Sequence, residues 1–202
     1  RSGLFSAWRD RLCPRGRRTS YALHQLDVKL EPHVRKRGGF FVEAGGNDGL
    51  SQSNTLYFER YLGWRGLLVE AIPALAEKCR RNRPRCIVEN CALVSAGHAA
   101  PTVDMQYCNL MSLVKGSRPD AREEERHLEQ GRQFLRADES IQTVTVPAKT
   151  LSRVLDEHGI TRVDLLSLDV EGYEPEVLAG LDLARHRPAH LLVEVRDRAA
   201  IE

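Results

Sequence analysis

The sequence lacks long apolar runs. No segment approaches the roughly 20 consecutive apolar residues that a membrane-spanning helix needs, and the start at Arg1 is not followed by the apolar stretch of a secretory signal. The 202 residues are 42% hydrophobic and 29% charged, a composition typical of a globular domain and not of a disordered or fibrous chain. We therefore expect a cytoplasmic protein that has no membrane partner.

An excess of either charge is also missing. Thirty basic residues are balanced by 28 acidic residues, for a formal net charge of +2, so the sequence predicts no nucleic-acid partner. The five cysteines are odd in number and lack the short paired spacing of a zinc site. We expect reduced core thiols, with a disulfide between two of them as the alternative.

Residues 1–38 form a predicted N-terminal helical extension. Within it, apolar side chains recur every three or four residues, which indicates one packing face of a helix. These side chains are Leu23, Leu26, Leu30 and Val34. The preceding segment, residues 9–18, is rich in arginine, and we interpret it as a solvated arm, with an anion site as the alternative.

From residue 39 to residue 202 the chain alternates short apolar runs with helical segments. This alternation is typical of a parallel sheet that is covered by helices on both faces. The predicted core strands are Phe40–Ala44, Gly66–Glu70, Cys86–Leu93, Val163–Asp169 and His190–Val195. The sequence therefore predicts a doubly wound α/β fold with a mostly parallel sheet.

The alternation is interrupted before the fourth core strand. Two extra short strands are predicted at Val103–Tyr107 and Ile141–Val146, and between them lies a highly charged segment, residues 118–136. A connection of this length is unusual in a compact domain. We predict a helical insert within residues 108–140 that serves as a lid or binds the acceptor, with a solvated excursion as the alternative.

The first candidate site follows the first core strand. This buried strand carries Glu43 near its end and leads into the glycine-rich turn of residues 45–49. Ligands of doubly wound sheets lie beyond the carboxyl ends of the strands. Dinucleotide enzymes use Gly-x-Gly-x-x-Gly at this point, whereas here a carboxylate would repel a pyrophosphate and attract a sulfonium. The pattern favours S-adenosylmethionine over a nicotinamide cofactor.

Acidic residues also end two other strands. Glu70 ends the second strand, where a carboxylate accepts hydrogen bonds from both hydroxyls of a ribose. Asp169 and Glu171 follow the fourth strand at a spacing that places both on one side. They could accept a proton from a hydroxyl, hold an amino group or ligate a divalent ion. Because no third ligand is near in sequence, we favour no metal, and surface acids remain the alternative.

Short motifs occur in a specific order along the chain. They are Glu43-Ala44-Gly45-Gly46-Asn47-Asp48-Gly49, Ser53-Asn54-Thr55, Gly63-Trp64-Arg65-Gly66, Glu70, Asn82-Arg83-Pro84, Met111-Ser112, Thr150-Leu151 and Leu166–Glu174. This ordered set resembles the FkbM-type S-adenosylmethionine-dependent methyltransferases over about residues 38–195. The resemblance implies a Rossmann-like class I methyltransferase fold and O-methylation of a sugar or natural-product hydroxyl, hence a small-molecule or glycan acceptor.

The resemblance also implies roles for individual residues. Asp169 and Glu171 are the candidate catalytic residues, facing the transferring methyl group. The implied cofactor residues are Glu43, Gly45, Asn47, Asp48, Ser53, Asn54, Glu70, Ala71, Asn90, Cys91, Ala92 and Asp169. The candidate acceptor residues are Met111, Ser112 and Tyr173 from these motifs, of which Tyr173 could also present its ring to the sulfonium. His127 is added because it lies in the predicted insert and could reach the crevice, with a surface histidine as the alternative.

Two departures from the family pattern are visible. Glu43 stands where many relatives have aspartate, a longer arm that would reach the ligand differently. The sequence ends at Glu202, where relatives continue into a helix and a closing antiparallel pair, so we expect those strands to be absent. A degenerate member that acts as an interaction module is the main functional alternative, and a homodimer remains open.

Overall fold

The computed structural model describes residues 18–194. The cysteine at position 13, the arginine-rich segment before Arg18 and the last residue of the predicted fifth strand, Val195, lie outside the described residues. Thus the predicted extension over residues 1–38 is described only in its second half. No helix within residues 18–194 is both long and apolar enough to cross a membrane.

The described chain alternates strands and helices. The strands are β1 (Phe40–Ala44), β2 (Arg65–Val69), β3 (Ile87–Glu89), β4 (Ala92–Leu93), β5 (Thr102–Tyr107), β6 (Leu113–Val114), β7 (Gln142–Lys149), β8 (Leu165–Leu168) and β9 (Leu191–Val193). The α-helices are α1 (Leu26–Val34), α2 (Leu56–Leu62), α3 (Pro73–Asn82), α4 (Ala121–Gly131), α5 (Leu151–Glu157) and α6 (Glu174–Ala179). Short 3₁₀ turns cover Leu23–Gln25, Asn109–Met111 and Arg132–Phe134.

The central sheet has five parallel strands in the order β3-β2-β1-β8-β9. Strand β1 is in the middle, and its Val42 pairs with Leu67 of β2 on one side and Leu166 of β8 on the other. The strand order reverses direction at β1, so the carboxyl ends of β1, β2 and β8 border one crevice. The predicted doubly wound α/β fold is confirmed.

Helices cover both faces of this sheet. Because successive strand residues point to opposite faces, Val42 packs in the apolar layer that contains Leu155 of α5 and Val177 of α6. Phe41 packs in the opposite layer with Phe58 of α2, Cys79 of α3 and apolar residues of α1. All four described cysteines are free thiols, as predicted, so none of them forms a disulfide.

The first helix begins later than its apolar pattern suggests. His24 and Gln25 have positive φ angles, so the α-helix starts only at Leu26. As a result Leu23 is 51% exposed and does not belong to the packing face that the sequence predicted. Val34, at the other end of the helix, is buried against the sheet layer of Phe41.

The predicted third strand, Cys86–Leu93, is wrong as a single element. It breaks at Asn90 and Cys91, and its second part, β4, joins another sheet by pairing with β7. The Asn90 amide donates to the carbonyls of Glu70 and Ala71, both at 2.8 Å. These bonds replace the strand ladder at the break, and they fix the backbone that follows β2.

The second sheet has the order β4-β7-β5-β6 and contains the two predicted extra strands as an antiparallel pair. The charged insert between them contains the helix α4, as predicted, and Asp120 caps its first turn by accepting from the backbone N–H of Glu123 at 2.8 Å. Helix α4 ends in close contact with the sheet. A Cβ at Gly131 would lie 2.4 Å from the Cys108 sulfur.

Candidate active site

A cavity of about 250 Å³ opens where the carboxyl ends of β1, β2 and β8 meet. Residues from all three strand ends line it, together with the start of β4 and the turn at Asn109–Met111. The predicted site residues on its surface are Gly45, Asn47, Glu70, Ala71, Cys91, Ala92, Met111, Ser112, Asp169, Glu171 and Tyr173. The structure thus brings together both candidate catalytic carboxylates and about half of the predicted cofactor residues.

Glu43 is not on the surface of this cavity. Its carboxylate is buried and accepts hydrogen bonds from Ser53 Oγ at 2.9 Å, from the backbone N–H of Asn54 at 2.7 Å and from Thr55 Oγ1 at 2.5 Å. Glu43 and its partners Ser53 and Asn54 therefore lie behind the cavity wall. They support the loop that enters α2 and do not present polar atoms to a ligand in the cavity.

A buried arginine completes this support. Arg83 pairs with the Glu59 carboxylate, donates to the carbonyl of Gly49 at 3.0 Å and lies 3.9 Å from a Glu43 oxygen. Its guanidinium also donates to Thr55 Oγ1 at 3.2 Å. Since buried charges are costly unless they are paired and hydrogen-bonded, the cluster ties residues 49–55 to the sheet and to the end of α3.

Asp48, Asn90 and His127 also lie off the cavity surface. Burial pushes the pKa of Asp48 upward, but hydrogen bonds from Ser51 and Leu50 outweigh it and hold the pKa below its usual value. The Asp48 carboxylate is therefore a turn-forming group, bonded to the backbone N–H of Ser51 at 2.7 Å. Asn90 supports the backbone after β2, as described above, and His127 is in helix α4.

Glu70 is the carboxylate that faces the cavity from β2. One of its oxygens accepts from the backbone N–H of Asn47 at 2.7 Å and the other from that of Ile72 at 2.8 Å. A carboxylate has about four acceptor positions, so the three backbone donors Asn47, Ile72 and Ala71 leave capacity for a ligand donor. Burial nevertheless disfavours the charge and raises the pKa of Glu70 to about 7.

A tight backbone contact positions the loop after β8, which carries the carboxylates of Asp169 and Glu171. Gly45 has φ +86°, and a Cβ there would lie 1.9 Å from the carbonyl oxygen of Asp169. Only glycine permits this approach of the β1 turn to the loop after β8. Glu171 has φ 59°, and the backbone N–H groups of Val170 and Gly172 donate to Glu174 at 2.9 and 3.2 Å. This geometry places Asp169 and Glu171 beside Tyr173 on one wall.

Comparison with known families gives a match over most of the chain. The family model of the methyltransferase FkbM domain matches residues 43–201. The chain belongs to this family. Methyltransferases of the family take their methyl group from S-adenosylmethionine, so the resemblance and the cofactor class inferred from the motifs are confirmed.

Similarity beyond the FkbM family model is weak. One solved structure, a SAM-dependent methyltransferase from Thiobacillus denitrificans in complex with S-adenosyl-L-homocysteine, aligns with a TM-score of 0.41 at 11% identity. The alignment covers 90% of this chain and 55% of that chain, so the FkbM domain described here spans about half of the length of that protein. A search of curated proteins finds no match.

The FkbM domain has a cavity wall that the spacing of sequence motifs did not predict. Asn109, Leu110 and Val114 line the cavity from the second sheet, and Phe134 lines it from the end of the insert, with 37% of its surface exposed. All of them lie within the insert predicted over residues 108–140, in which the motifs singled out only Met111 and Ser112 as acceptor residues. The second sheet pairs segments that are far apart in sequence. Its apolar cavity residues, such as Leu110 and Val114, look like ordinary core residues in the sequence.

Two other carboxylates, those of Glu174 and Glu194, approach Asp169. Ligand atoms of Asp169, Glu174 and Glu194 lie within 4.8 Å of one another, a spacing that could hold a divalent ion. The sequence missed this group because Glu194 follows β9, the strand next to β8. Glu174 already accepts two backbone hydrogen bonds. The sequence-based prediction that the site uses no metal ion stays a prediction.

The Arg83 cluster predicts a large difference between two arginines that share one partner. Arg83→Leu should lower the free energy of unfolding by about 3–5 kcal/mol, because it leaves the buried Glu59 carboxylate without its guanidinium. Arg85 lies 3.4 Å from the same Glu59 but its side chain is 60% exposed, so Arg85→Leu should cost under about 1 kcal/mol. Urea unfolding measures both. Equal costs would contradict a structural role for the cluster.

The raised pKa of Glu70 predicts a pH-dependent stability difference. Because the folded state holds the proton more tightly than the unfolded state, ionisation of Glu70 destabilises the fold as the pH rises from about 4.5 to about 7. Glu70→Gln cannot ionise and should therefore gain stability relative to the wild type over this range. Urea unfolding at about pH 5 and about pH 8 measures the change. The same difference at both pH values would show that Glu70 titrates normally.

Proposed function

We propose that this FkbM-family protein transfers a methyl group from S-adenosylmethionine to a hydroxyl oxygen of a small-molecule or glycan acceptor. The observation that carries the proposal is that carboxylates from two different strand ends line one cavity. Glu70, after β2, lines the cavity on one side of β1, and Asp169 and Glu171, after β8, line it on the other side.

The residues present fit the methyl donor. A ribose offers hydroxyl donors, and the Glu70 carboxylate has acceptor capacity beyond its backbone hydrogen bonds. Cys91, Ala92 and Leu93 give the cavity an apolar surface near Glu70, suited to the face of an adenine ring. At Gly45 the turn after β1 packs against the loop after β8, and the methionine half would lie on the cavity side of this contact.

S-Adenosylmethionine supplies an activated methyl group, which the acceptor oxygen takes up as the carbon–sulfur bond breaks and the hydroxyl proton passes to a base. Because the donor is already activated, the protein contributes mainly by positioning the acceptor and by excluding water. Asp169 and Glu171 are the carboxylates on the cavity surface that could take the proton. The proposal requires no metal ion.

The acceptor would enter between the turn Asn109–Met111 with Phe134 on one wall and Tyr173 on the other. This entrance combines two aromatic rings with the polar side chains of Asn109 and Ser112, a mixture suited to a hydroxylated ring compound. A cavity of about 250 Å³ and a net charge of +2 suit a small acceptor better than a nucleic acid. An interaction module is disfavoured because the cavity keeps its carboxylates.

Binding of the reaction product tests the donor half of this proposal. We expect S-adenosylhomocysteine to bind with a dissociation constant in the micromolar range, about −7 to −8 kcal/mol. Glu70→Gln should weaken binding by about 2–4 kcal/mol, because a charged acceptor of two ribose hydrogen bonds is lost. Isothermal titration calorimetry measures both values.

The matched control is Glu89→Gln. Glu89 ends the neighbouring strand β3, but it pairs with Lys149 and His158 outside the cavity. Its substitution should leave the affinity for S-adenosylhomocysteine within about twofold. No binding by the folded wild type, or equal losses in the two variants, would refute the proposed cofactor site.

A further inference from the structure

Helix α4 contacts two walls of the cavity through one buried histidine. His127 is 6% exposed, and its Nε2 lies 2.9 Å from the carbonyl oxygen of Met111, in the acceptor-side turn. The same nitrogen lies 3.6 Å from Glu171 Oε2, on the wall after β8. These two walls come from different sheets, and His127 joins them from behind the cavity surface.

Arg118 determines which nitrogen of His127 carries the hydrogen. A guanidinium group only donates hydrogen bonds, and Arg118 Nη2 lies 2.9 Å from His127 Nδ1. His127 Nδ1 must therefore be the acceptor, so Nε2 carries the hydrogen that is donated to the Met111 carbonyl. In this state His127 Nε2 cannot take a proton from an acceptor hydroxyl.

Close backbone contacts hold the pair in place. A Cβ at Gly172 would lie 2.8 Å from Arg118 Nη1, so the guanidinium rests directly on the loop that carries Glu171. At the other wall, a Cβ at Gly131 would lie 2.4 Å from the Cys108 sulfur and 3.1 Å from Met111 Cβ. The insert thus touches both walls with no space for an extra methyl group.

We propose that Arg118 and His127 are positioning residues that set the separation between Glu171 and the turn Asn109–Met111. This separation defines the opening through which an acceptor oxygen reaches the donor side of the cavity. The inference rests on the proposed methyl transfer, since it gives the insert a part in that site. In this inference His127 links the two walls structurally, and the hydroxyl proton passes to another group, such as Asp169 or Glu171.

Two measurements test the link. Nitrogen-15 NMR of histidine-labelled protein should show His127 with its hydrogen on Nε2, and Arg118→Leu should abolish this single tautomer. Amide hydrogen exchange should then accelerate at least about fivefold both in residues 108–113 and in residues 170–173, while the core strand β1 stays protected. Arg118→Leu removes the tautomer constraint without altering the buried imidazole itself.

Substitutions at position 127 give the complementary test. His127→Leu should accelerate exchange in both walls, whereas His127→Gln, whose amide can donate to Met111 and accept from Arg118, should restore exchange to within about threefold of the wild type. The control Arg126→Leu alters a neighbouring side chain of α4 that is 71% exposed. It should leave both walls unchanged.

Titration with S-adenosylhomocysteine separates this inference from the proposed function. If the wild type binds the product and the variants change exchange in both walls, the link holds. If the wild type does not bind S-adenosylhomocysteine, the proposed function is refuted, but the hydrogen-exchange measurements still test the link between the walls. Acceleration in one wall alone, the Nδ1–H tautomer, or equal acceleration in Arg126→Leu would overturn the link.

Discussion

The candidate active site depends on one buried carboxylate, that of Glu43, which lies on the sheet face covered by α2 and α3. A buried charge requires compensation, and it comes from the loop of residues 53–55 and from Arg83. The same arginine bonds to the carbonyl of Gly49, so the turn after β1 is fixed at its far end. The Asn47 carbonyl accepts from the Cys79 thiol at 2.8 Å, and the Asn47 N–H reaches Glu70. The hydrogen bonds that hold Glu43 therefore help to fix the turn after β1, and the Asn47 N–H in that turn orients Glu70 at the cavity.

The insert is held at both of its ends. His127 bonds to the turn after β5, and at the other end Glu139 accepts from the Asn109 side chain at 3.0 Å and from the Arg136 backbone N–H at 3.0 Å. The sequence predicted a helical insert that serves as a lid or binds the acceptor. Of its apolar residues Leu128 and Leu135 are half-buried and Phe134 is exposed, and polar contacts tie the insert to the cavity wall. These contacts support the proposed role of the insert in positioning that wall, and its role as a lid stays a prediction.

Sequence reasoning recovered the central sheet because its strands are apolar, short and bounded by glycine or acidic residues. It also placed Glu70, Asp169 and Glu171 correctly at strand ends that border the cavity. It assigned Glu43 to the cofactor, whereas the structure buries this carboxylate behind the cavity wall, and the period of the strand contained that signal. Glu43 shares a face with Phe41, on the side covered by α2 and α3, and not with Val42. Glu194 and the Asn109–Met111 wall depend on pairings between distant segments, which a local pattern does not encode.

The central claim is that the cavity at the ends of β1, β2 and β8 holds the methyl donor, while Glu43 stays behind its wall. A crystal structure of the protein with S-adenosylhomocysteine tests it most directly. The account predicts ribose hydroxyls within hydrogen-bonding distance of Glu70, the sulfur on the side of Asp169 and Glu171, and Glu43 still bonded to residues 53–55. A ligand bound elsewhere, or one whose methionine half is held by Glu43, would contradict it.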